Sequence, residues 1–328
     1  MHNGFQAGER VLITGASGFL GTNLVEACLR CGVAVINLDQ APPRNGAHRP
    51  VWKEVAPLDG IAVSAAVADF RPTLVFHLGA RTDLHGRTLD DYAENIEGVR
   101  VMIDACNAVP DIRRVIFVSS RLVCRIGYQP RGDDDYCPTT LYGESKMVGE
   151  RIVREADPQY DWLIVRPTSI WGPWFGAPYR GFFDTVANGR YFHIKHRAVK
   201  KSYGYVGNTV YQLERLANTP AAVLHRRMFY LADYPPTDLR EMANLIQRHT
   251  QARRIRTIPQ WPLTLVARAG NLLQRAGWSE PPLTTFRLNN LTTEMVYDLA
   301  PLQDAVGPLP YSLEHGVRDT VSWMRQQS

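Results

Sequence analysis

The sequence predicts an α/β protein built on a doubly wound parallel sheet, with a smaller lobe of mixed helices and strands toward the C-terminus. In the first half, short apolar segments alternate with amphipathic helical patterns, and the apolar segments are nearly continuous. Such alternation is typical of βαβ units, and continuous apolar strands fit a sheet that is buried on both faces. After Pro167 this rhythm stops, so we expect no second sheet of the same kind.

The expected elements follow in chain order. The strands are residues 10–14, 33–39, 51–55, 74–78, 114–119 and 162–166, with 228–231 returning from the second half. Helical patterns lie near 61–70, 90–108 and 141–155, a loop covers 171–174, a helix starts near Thr237, and a capped helix follows Ser312. We therefore expect residues 1–168, joined by part of 203–235, to form the sheet domain, and 169–328 to form mainly the smaller lobe.

A glycine-rich turn follows the first expected strand. Gly15, Gly18 and Gly21 are spaced three apart, and a helical pattern starts directly behind them. A strand, a glycine turn and a helix bring backbone N–H groups and a helix N-terminus up to a phosphate. An ordinary glycine-rich turn looks the same, so the loop alone is weak evidence.

An acidic residue at the end of the second expected strand indicates that the glycine loop binds a dinucleotide. Asp39 lies about 20 residues beyond the loop, the distance at which an acid binds the adenosine ribose of NAD and repels the 2′-phosphate of NADP. Arg44 keeps NADP as an alternative. The pattern therefore predicts an NAD-binding Rossmann domain over 1–168 and a substrate-binding lobe over 169–328.

The charged residues and cysteines of the chain limit which ligands and partners are expected. The chain has 328 residues, a formal net charge of +5, and basic clusters in its second half, at 225–227 and 253–256. These clusters fit a solvated surface, or attraction for an anionic substrate or membrane; without interleaved aromatics they do not indicate nucleic acid. Five cysteines predict no disulfide framework, and we interpret Cys28 and Cys31 as part of a packed helix rather than a metal site. No metal is expected.

Two features bear on location. The N-terminus lacks a signal-peptide pattern and no run of about 18 apolar residues occurs, so we expect a cytoplasmic protein without a membrane span. Residues 262–275 form an amphipathic stretch with two arginines, which either packs into the lobe or lies on a membrane surface or a partner.

Tyr142 and Lys146 are the candidate reactive pair. They lie four residues apart on an expected helix, so both occupy one face. A free tyrosine has a pKa of about 10, and a lysine ammonium nearby would lower it toward neutral pH. The phenol could then take a proton from an alcohol or give one to a carbonyl oxygen. On an isolated helix the same spacing is more often a surface pair.

The position of a serine pair makes this interpretation stronger. Ser119 and Ser120 end the expected strand before that helix. The carboxyl ends of strands form the ligand crevice of a doubly wound sheet, and a serine there can hydrogen-bond the substrate oxygen. Turn capping is the alternative role for either serine.

On these residues the chain resembles the extended short-chain dehydrogenase/reductases, especially the NAD-dependent epimerase/dehydratase group that acts on nucleotide sugars. The matching positions, and the roles they imply, can be given together. The resemblance implies cofactor contacts by Gly15, Ser17, Gly18, Phe19, Leu20, Gly21, Asp39, Asp59, Leu78, Gly79, Ala80, Asn95, Ser119, Tyr142, Lys146 and Pro167, and catalysis by Ser120, Tyr142 and Lys146.

The resemblance also implies a reaction. Hydride would pass between a sugar carbon, most simply C4, and the nicotinamide, while Tyr142 handles the hydroxyl proton, Ser120 polarises the oxygen and Lys146 supports Tyr142 and the ribose. A homodimer through the helices at 90–108 and 141–155 is a further implication.

Departures from the family pattern keep the substrate open. Arg121 and Leu122 replace the Asp-Glu pair of the 4,6-dehydratases, which disfavours that branch. Cys124, Ser169 and Lys201 stand at positions expected to contact substrate but differ from the usual residues. Residues 262–291 resemble the 3β-hydroxysteroid dehydrogenase-like branch, so a lipid-like alcohol is an alternative substrate, and an NAD-sensing binding protein without turnover is an alternative of another class.

Overall fold

A computed structural model describes residues 4–177, 179–195, 198–275, 277–278, 281 and 283–327. Its strands are β1 (Arg10–Thr14), β2 (Ala34–Asp39), β3 (Trp52–Glu54), β4 (Leu74–His77), β5 (Arg114–Val118), β6 (Asp161–Pro167), β7 (Ser169–Trp171), β8 (Phe192–Ile194), β9 (Lys200–Lys201), β10 (Tyr203–Tyr205), β11 (Met228–Leu231), β12 (Thr237–Asp238) and β13 (Arg256–Ile258). Its helices are α1 (Phe19–Arg30), α2 (Gly60–Phe70), α3 (Ala93–Asn107), α4 (Leu141–Ala156), α5 (Tyr179–Ala187), α6 (Val206–Asn218), α7 (Ala221–Leu224), α8 (Leu239–Thr250), α9 (Gln260–Arg275), α10 (Thr285–Thr292), α11 (Ala300–Val306) and α12 (Leu313–Gln326).

The central sheet confirms the predicted fold class. Over the described residues it has seven strands in the order β11-β6-β5-β4-β1-β2-β3, and every pairing is parallel. The chain runs outward from β1 to β3 and then returns to β4 on the other side of β1. This reversal opens a crevice at the carboxyl ends of β1 and β4, where doubly wound sheets bind their ligands.

Helices cover both faces of the sheet, each over its own apolar core. On one face α1 and α6 pack through residues such as Leu24 and Leu213. On the other face α2, α3 and α4 pack through residues such as Val67, Ile103 and Ile152. Because the strands are buried between these layers, their nearly continuous apolar sequences are explained.

The smaller lobe combines α5, α8 and α12 with short strand pairs, which are β7 with β10, β8 with β13, and β9 with β12. Two expectations need correction. Trp171 lies in β7 rather than a loop, because its buried ring packs between Phe183 and Tyr205. The helix expected from Thr237 begins at Leu239, because Thr237 pairs with β9 and Asp238 caps the helix.

The structure also bears on residues 262–275, on strand β11 and on the cysteines of α1. The amphipathic stretch 262–275 is helical and lies within α9, and no helix in the described part of the chain is long and apolar enough to cross a membrane. Strand β11 does return to the sheet beside β6, while the boundary between 168 and 169 stays a prediction. Cys28 is a free thiol on the buried side of α1, whereas Cys31, expected on the same packed face, is exposed at the C-terminal end of that helix.

Candidate active site

The glycine turn after β1 is closed so tightly that only glycine fits at two of its positions. Gly15 has φ of +66°, and a Cβ atom there would lie 2.7 Å from the Cα atom of Gly79. A Cβ atom at Gly21 would lie 2.4 Å from the Cα atom of Ala16. The turn therefore presents bare backbone at the N-terminus of α1, which is the cradle that a dinucleotide phosphate requires.

A cavity of about 690 Å³ lies above this turn, across the crevice between β1 and β4. Most of the residues predicted to bind the cofactor or carry out the chemistry line it. They are Gly15, Ser17, Gly18, Phe19, Leu20, Gly21, Asp39, Leu78, Gly79, Ala80, Ser119, Ser120, Tyr142 and Pro167. The fold thus brings together segments that lie far apart in the sequence.

Asp39 is held at one end of the cavity by backbone donors. Its two carboxylate oxygens accept hydrogen bonds from the N–H of Ser17 (3.0 Å) and the N–H of Ala41 (2.9 Å). Each oxygen keeps further acceptor capacity, which suits ribose hydroxyls. Arg44 also lines the cavity, but its guanidinium donates to the carbonyl of Trp174 at 2.8 Å. This arrangement favours NAD over NADP.

Tyr142 reaches the cavity because α4 packs closely on the segment after β5. Thr140 caps α4 by accepting a hydrogen bond from the N–H of Gly143 at 3.0 Å. A Cβ atom at Gly143 would lie 2.1 Å from the carbonyl oxygen of Leu122, so a larger residue there would push the helix away from Ser120. Sequence reasoning missed Gly143, although a glycine directly after the reactive tyrosine was the available signal.

Burial and a hydrogen bond with Ser120 act in opposite directions on the pKa of Tyr142. Burial raises the pKa of Tyr142 to about 12, and a hydrogen bond with Ser120 opposes that rise. The Lys146 ammonium donates to the carbonyl of Val118 at 2.9 Å, and burial lowers its pKa to about 8 against the opposing charge of Glu150. The lowering of the tyrosine pKa by Lys146 stays a prediction, and in this geometry the hydrogen bond with Ser120 is the first interaction that lowers it.

Glu150 is a functional residue that the sequence did not reveal. One of its buried carboxylate oxygens accepts from Ser119 Oγ at 2.5 Å and from Arg166 Nε at 2.8 Å. The other accepts from Arg166 Nη2 at 2.7 Å and from the Tyr136 hydroxyl at 3.0 Å. An acid one turn beyond Lys146, on the buried face of α4, was the only local signal for this network.

Two predicted cofactor contacts have other roles in the structure. Asp59 does not line the cavity, because its carboxylate caps α2 by accepting from the N–H of Ala62 at 3.0 Å; Pro57 lines the cavity instead. Asn95 bonds both the N–H and the carbonyl of Arg81, at 2.8 and 3.0 Å, and so fixes the loop after β4. Direct contact of Asp59 or Asn95 with a cofactor stays a prediction that this geometry does not favour.

The predicted substrate residues are buried behind Ser120. Cys124 Sγ donates to the carbonyl of Asp135 at 3.3 Å, and Ser169 lies within β7, so both pack rather than line the cavity. Lys201 is buried, and burial together with the charge of Arg121 lowers its pKa to about 8. Lys201 and Arg121 are therefore two buried cations that lie near each other.

The surroundings of Arg121 were also not predicted from the sequence. Its side chain is buried and hydrogen-bonds the hydroxyl of Tyr297, and its charge also acts on Tyr142. Its Nη1 atom has no hydrogen-bond partner among the described residues. A buried guanidinium nitrogen without an acceptor is costly, and within the described part of the chain Arg154 Nε, Arg154 Nη2 and Arg215 Nε share this condition.

Comparison with known proteins agrees with this site. Residues 11–212 match the NAD dependent epimerase/dehydratase family. The chain belongs to this family. It is therefore an NAD-dependent enzyme of the extended short-chain dehydrogenase/reductase type. The glycine cradle and Asp39 fit that cofactor.

Its relatives differ in what they act on. It is 28% identical over 327 residues to the 3 beta-hydroxysteroid dehydrogenase/Delta 5→4-isomerase of Mycobacterium tuberculosis, covering 92% of this chain and 86% of that one. It is 22% identical over 323 residues to N-acetyl-alpha-D-glucosaminyl-diphospho-ditrans,octacis-undecaprenol 4-epimerase of Escherichia coli O157:H7, covering 96% and 95%. The UDP-glucose 4-epimerase of Thermotoga maritima with UDP-glucose shares the fold, with a TM-score of 0.74, 17% identity and coverage of 97% and 99%.

Proposed function

We propose that this protein is an NAD-dependent epimerase that inverts C4 of a nucleotide-linked sugar. The observation that carries the proposal is the meeting of Ser120 and Tyr142 at the cavity above the glycine turn, with the buried cations Arg121 and Lys201 outside its lining, where the charge of Arg121 acts on both Tyr142 and Lys201. The first pair suits an alcohol that exchanges a proton, and the second pair suits the diphosphate of an activated sugar.

Each side chain has a definite task in this reaction. When bound, NAD supplies an acceptor that takes a hydride from the sugar and returns it. Tyr142 takes the proton of the sugar hydroxyl and later gives it back, and Ser120 holds the same oxygen by its hydroxyl. Lys146 keeps a positive charge one helical turn from Tyr142, fixed on the carbonyl of Val118.

The cations favour an anionic substrate over a sterol. Arg121 stands where the dehydratases of the family carry an acid, and a sterol would offer its Nη1 atom, which has no partner among the described residues, a neutral acceptor but no opposite charge. Two named proteins support the same reading: the Escherichia coli relative acts on a diphosphate-linked sugar, and the Thermotoga maritima structure holds UDP-glucose. An arginine fork also recognises phosphate oxygens in a way that a hydroxyl cannot replace.

A second candidate is the oxidation of a lipid-like alcohol. The Mycobacterium tuberculosis relative carries a steroid dehydrogenase name at 28% identity, higher than the identity to the sugar epimerase. In that case NADH would accumulate with product. A protein that only senses NAD is less favoured, because a sensor does not need Ser120 and Tyr142 at one cavity.

One screen separates these functions. The purified protein is incubated with NAD and either UDP-glucose, UDP-N-acetylglucosamine or a 3β-hydroxysteroid, and product mass, the configuration at the sugar C4 by NMR spectroscopy, and NADH absorbance are followed. We expect a sugar epimer of unchanged mass without net NADH. Loss of two hydrogens from the steroid with matching NADH would overturn the epimerase proposal, and NAD binding without turnover of any compound would favour the sensor.

Substitution of Arg121 tests the substrate class directly. We expect Arg121→Met to weaken binding of UDP-glucose by roughly tenfold or more while NAD affinity stays within a few-fold, because a buried charge-assisted bond to phosphate is lost. Arg131→Met, at a largely exposed arginine paired with Asp135, is the matched control and should change neither affinity. Unchanged UDP-glucose binding in Arg121→Met would contradict a diphosphate site at this arginine.

A further inference from the structure

Helix α9 is apolar on two sides, but the lobe covers only one of them. Leu263, Ala267 and Gly270 form the buried side, and the first two pack with Leu288 of α10 in a small core of their own. A helix that needs only one apolar side to join its domain should be polar elsewhere. The opposite side of α9 does not follow this rule.

The uncovered side carries large apolar residues in one stripe. Trp261, Leu265 and Leu272 are exposed by 67%, 56% and 65%, and Val266 and Leu273 beside them are exposed as well. Trp278, just after the helix, is 51% exposed, and its backbone N–H donates to the backbone carbonyl of Leu273 at 3.0 Å. An exposed apolar surface of this length, about 24 Å of helix, indicates an interaction site rather than scattered surface residues.

Positive charge surrounds this stripe. Arg268 and Arg275 alternate with Leu265 and Leu272 at steps of three and four residues, which places them along the same side. Residues 251–293 contain six arginines, one glutamate and no lysine or aspartate, a net charge of +5 that equals the formal net charge of the whole chain. The excess charge of the protein is therefore concentrated on the segment that carries the apolar stripe.

We propose that α9 docks on the surface of an anionic lipid bilayer and lies parallel to it. In this position Leu265 and Leu272 enter the headgroup boundary, Trp261 and Trp278 sit at headgroup level at the two ends, and the arginines meet lipid phosphates. A second copy of the chain fits the stripe less well, because self-association would oppose two surfaces of the same positive charge. The proposal is independent of which substrate the enzyme uses.

Vesicle sedimentation tests this docking with the full chain. We expect the protein to sediment with vesicles of phosphatidylcholine containing roughly one-third phosphatidylglycerol, to bind pure phosphatidylcholine vesicles far less, and to be released by high salt. Arg268→Gln with Arg275→Gln should lower the partition coefficient roughly thirty-fold, since each basic residue near the surface contributes about a factor of five. Leu265→Ser with Leu272→Ser should lower it at least as much.

Matched variants keep the result interpretable. Ile61→Ser and Arg131→Gln remove an exposed apolar group and an exposed charge elsewhere, so both should sediment like the unchanged protein. Every variant should retain its NAD affinity and its helical circular dichroism. Equal binding to both vesicle types, loss of binding in the control variants, or self-association that the Leu265→Ser/Leu272→Ser variant abolishes without any vesicle binding would overturn the proposal.

Discussion

The two sides of the cavity differ in which atoms form them: mainly backbone on the cofactor side, which we call the backbone wall, and mainly side chains on the substrate side, which we call the side-chain wall. On the cofactor side, backbone dominates: Gly15 and Gly21 leave no room for a Cβ atom, and Asp39 is held by the backbone N–H groups of Ser17 and Ala41. On the substrate side, polar side chains line the cavity at Ser119, Ser120 and Tyr142, and the buried cations Lys146 and Arg121 stand outside this lining. The backbone wall has little freedom to move, whereas the side-chain wall depends on charges whose state burial controls.

This difference predicts different costs of mutation. The backbone wall binds parts that every dinucleotide shares, so variants there should change mainly the affinity for the cofactor. Burying ionisable groups in the side-chain wall costs folding free energy, because each charge leaves water and must be balanced inside the protein. Variants in the second wall should therefore alter rate, stability and pH dependence, while variants in the first should alter cofactor binding.

The largest effect should follow loss of the phenol. We expect Tyr142→Phe to reduce turnover by roughly 10²- to 10⁴-fold, because the proton-transfer group is removed, while NAD affinity stays within a few-fold. Tyr160→Phe, which removes a buried hydroxyl without a partner among the described residues, is the control and should keep normal turnover. Normal turnover of Tyr142→Phe would show that the reactive group lies elsewhere.

The next effect concerns the network behind the side-chain wall. Glu150→Gln leaves the buried Arg166 without its counter-charge, so we expect the free energy of unfolding to fall by about 3–5 kcal/mol, measured by urea denaturation. Glu97→Gln breaks an exposed pair with Arg100 and should cost less than about 1 kcal/mol. Similar losses in the two variants would mean that the Glu150 pair has no special structural weight.

A smaller effect, specific to pH, should follow from the buried ammonium. With a folded pKa of about 8 against 10.5 for the unfolded chain, Lys146 makes stability rise with pH between these two values, because only the unfolded state still holds the proton. Lys146→Met should lose this rise, and at pH 7 it should gain up to about 3 kcal/mol relative to the unchanged protein, less the lost bond to Val118. A stability difference that stays constant from pH 7 to pH 10 would contradict a buried, charged Lys146.

The smallest effect should appear on the backbone wall. We expect Asp39→Ala to raise the Kd for NAD about tenfold to a hundredfold and to narrow the preference over NADP, since hydrogen bonds to a charged group contribute about 1.5–3 kcal/mol. Asp69→Ala, at an exposed acid on α2, should leave both affinities unchanged in calorimetric titrations. An unaltered preference between the two cofactors would show that Asp39 does not face the ribose.

Local sequence patterns were sufficient for the sheet, the glycine turn and the position of Asp39, and they marked Ser119, Ser120 and Tyr142 as candidates whose roles stay predictions. Each depends on residues close together in the chain, on strand or helix periodicity, or on a backbone shape that only glycine permits. The resemblance to a known family supplied further residues, and there the geometry does not favour the contact expected of Asp59, because the side chain caps α2 instead. Likeness of sequence did not reveal the direction of that side chain.

The amino-acid sequence by itself determined that the chain forms a parallel α/β sheet with a dinucleotide turn at its first strand, because repeating patterns and glycine spacing act over short distances. Only the tertiary structure decided that Glu150 meets Arg166, that Arg121 lies among Tyr142, Lys201 and Tyr297, and that one apolar side of α9 stays uncovered. Burial and charge balance at these places depend on which distant segments pack together. No local pattern records that choice.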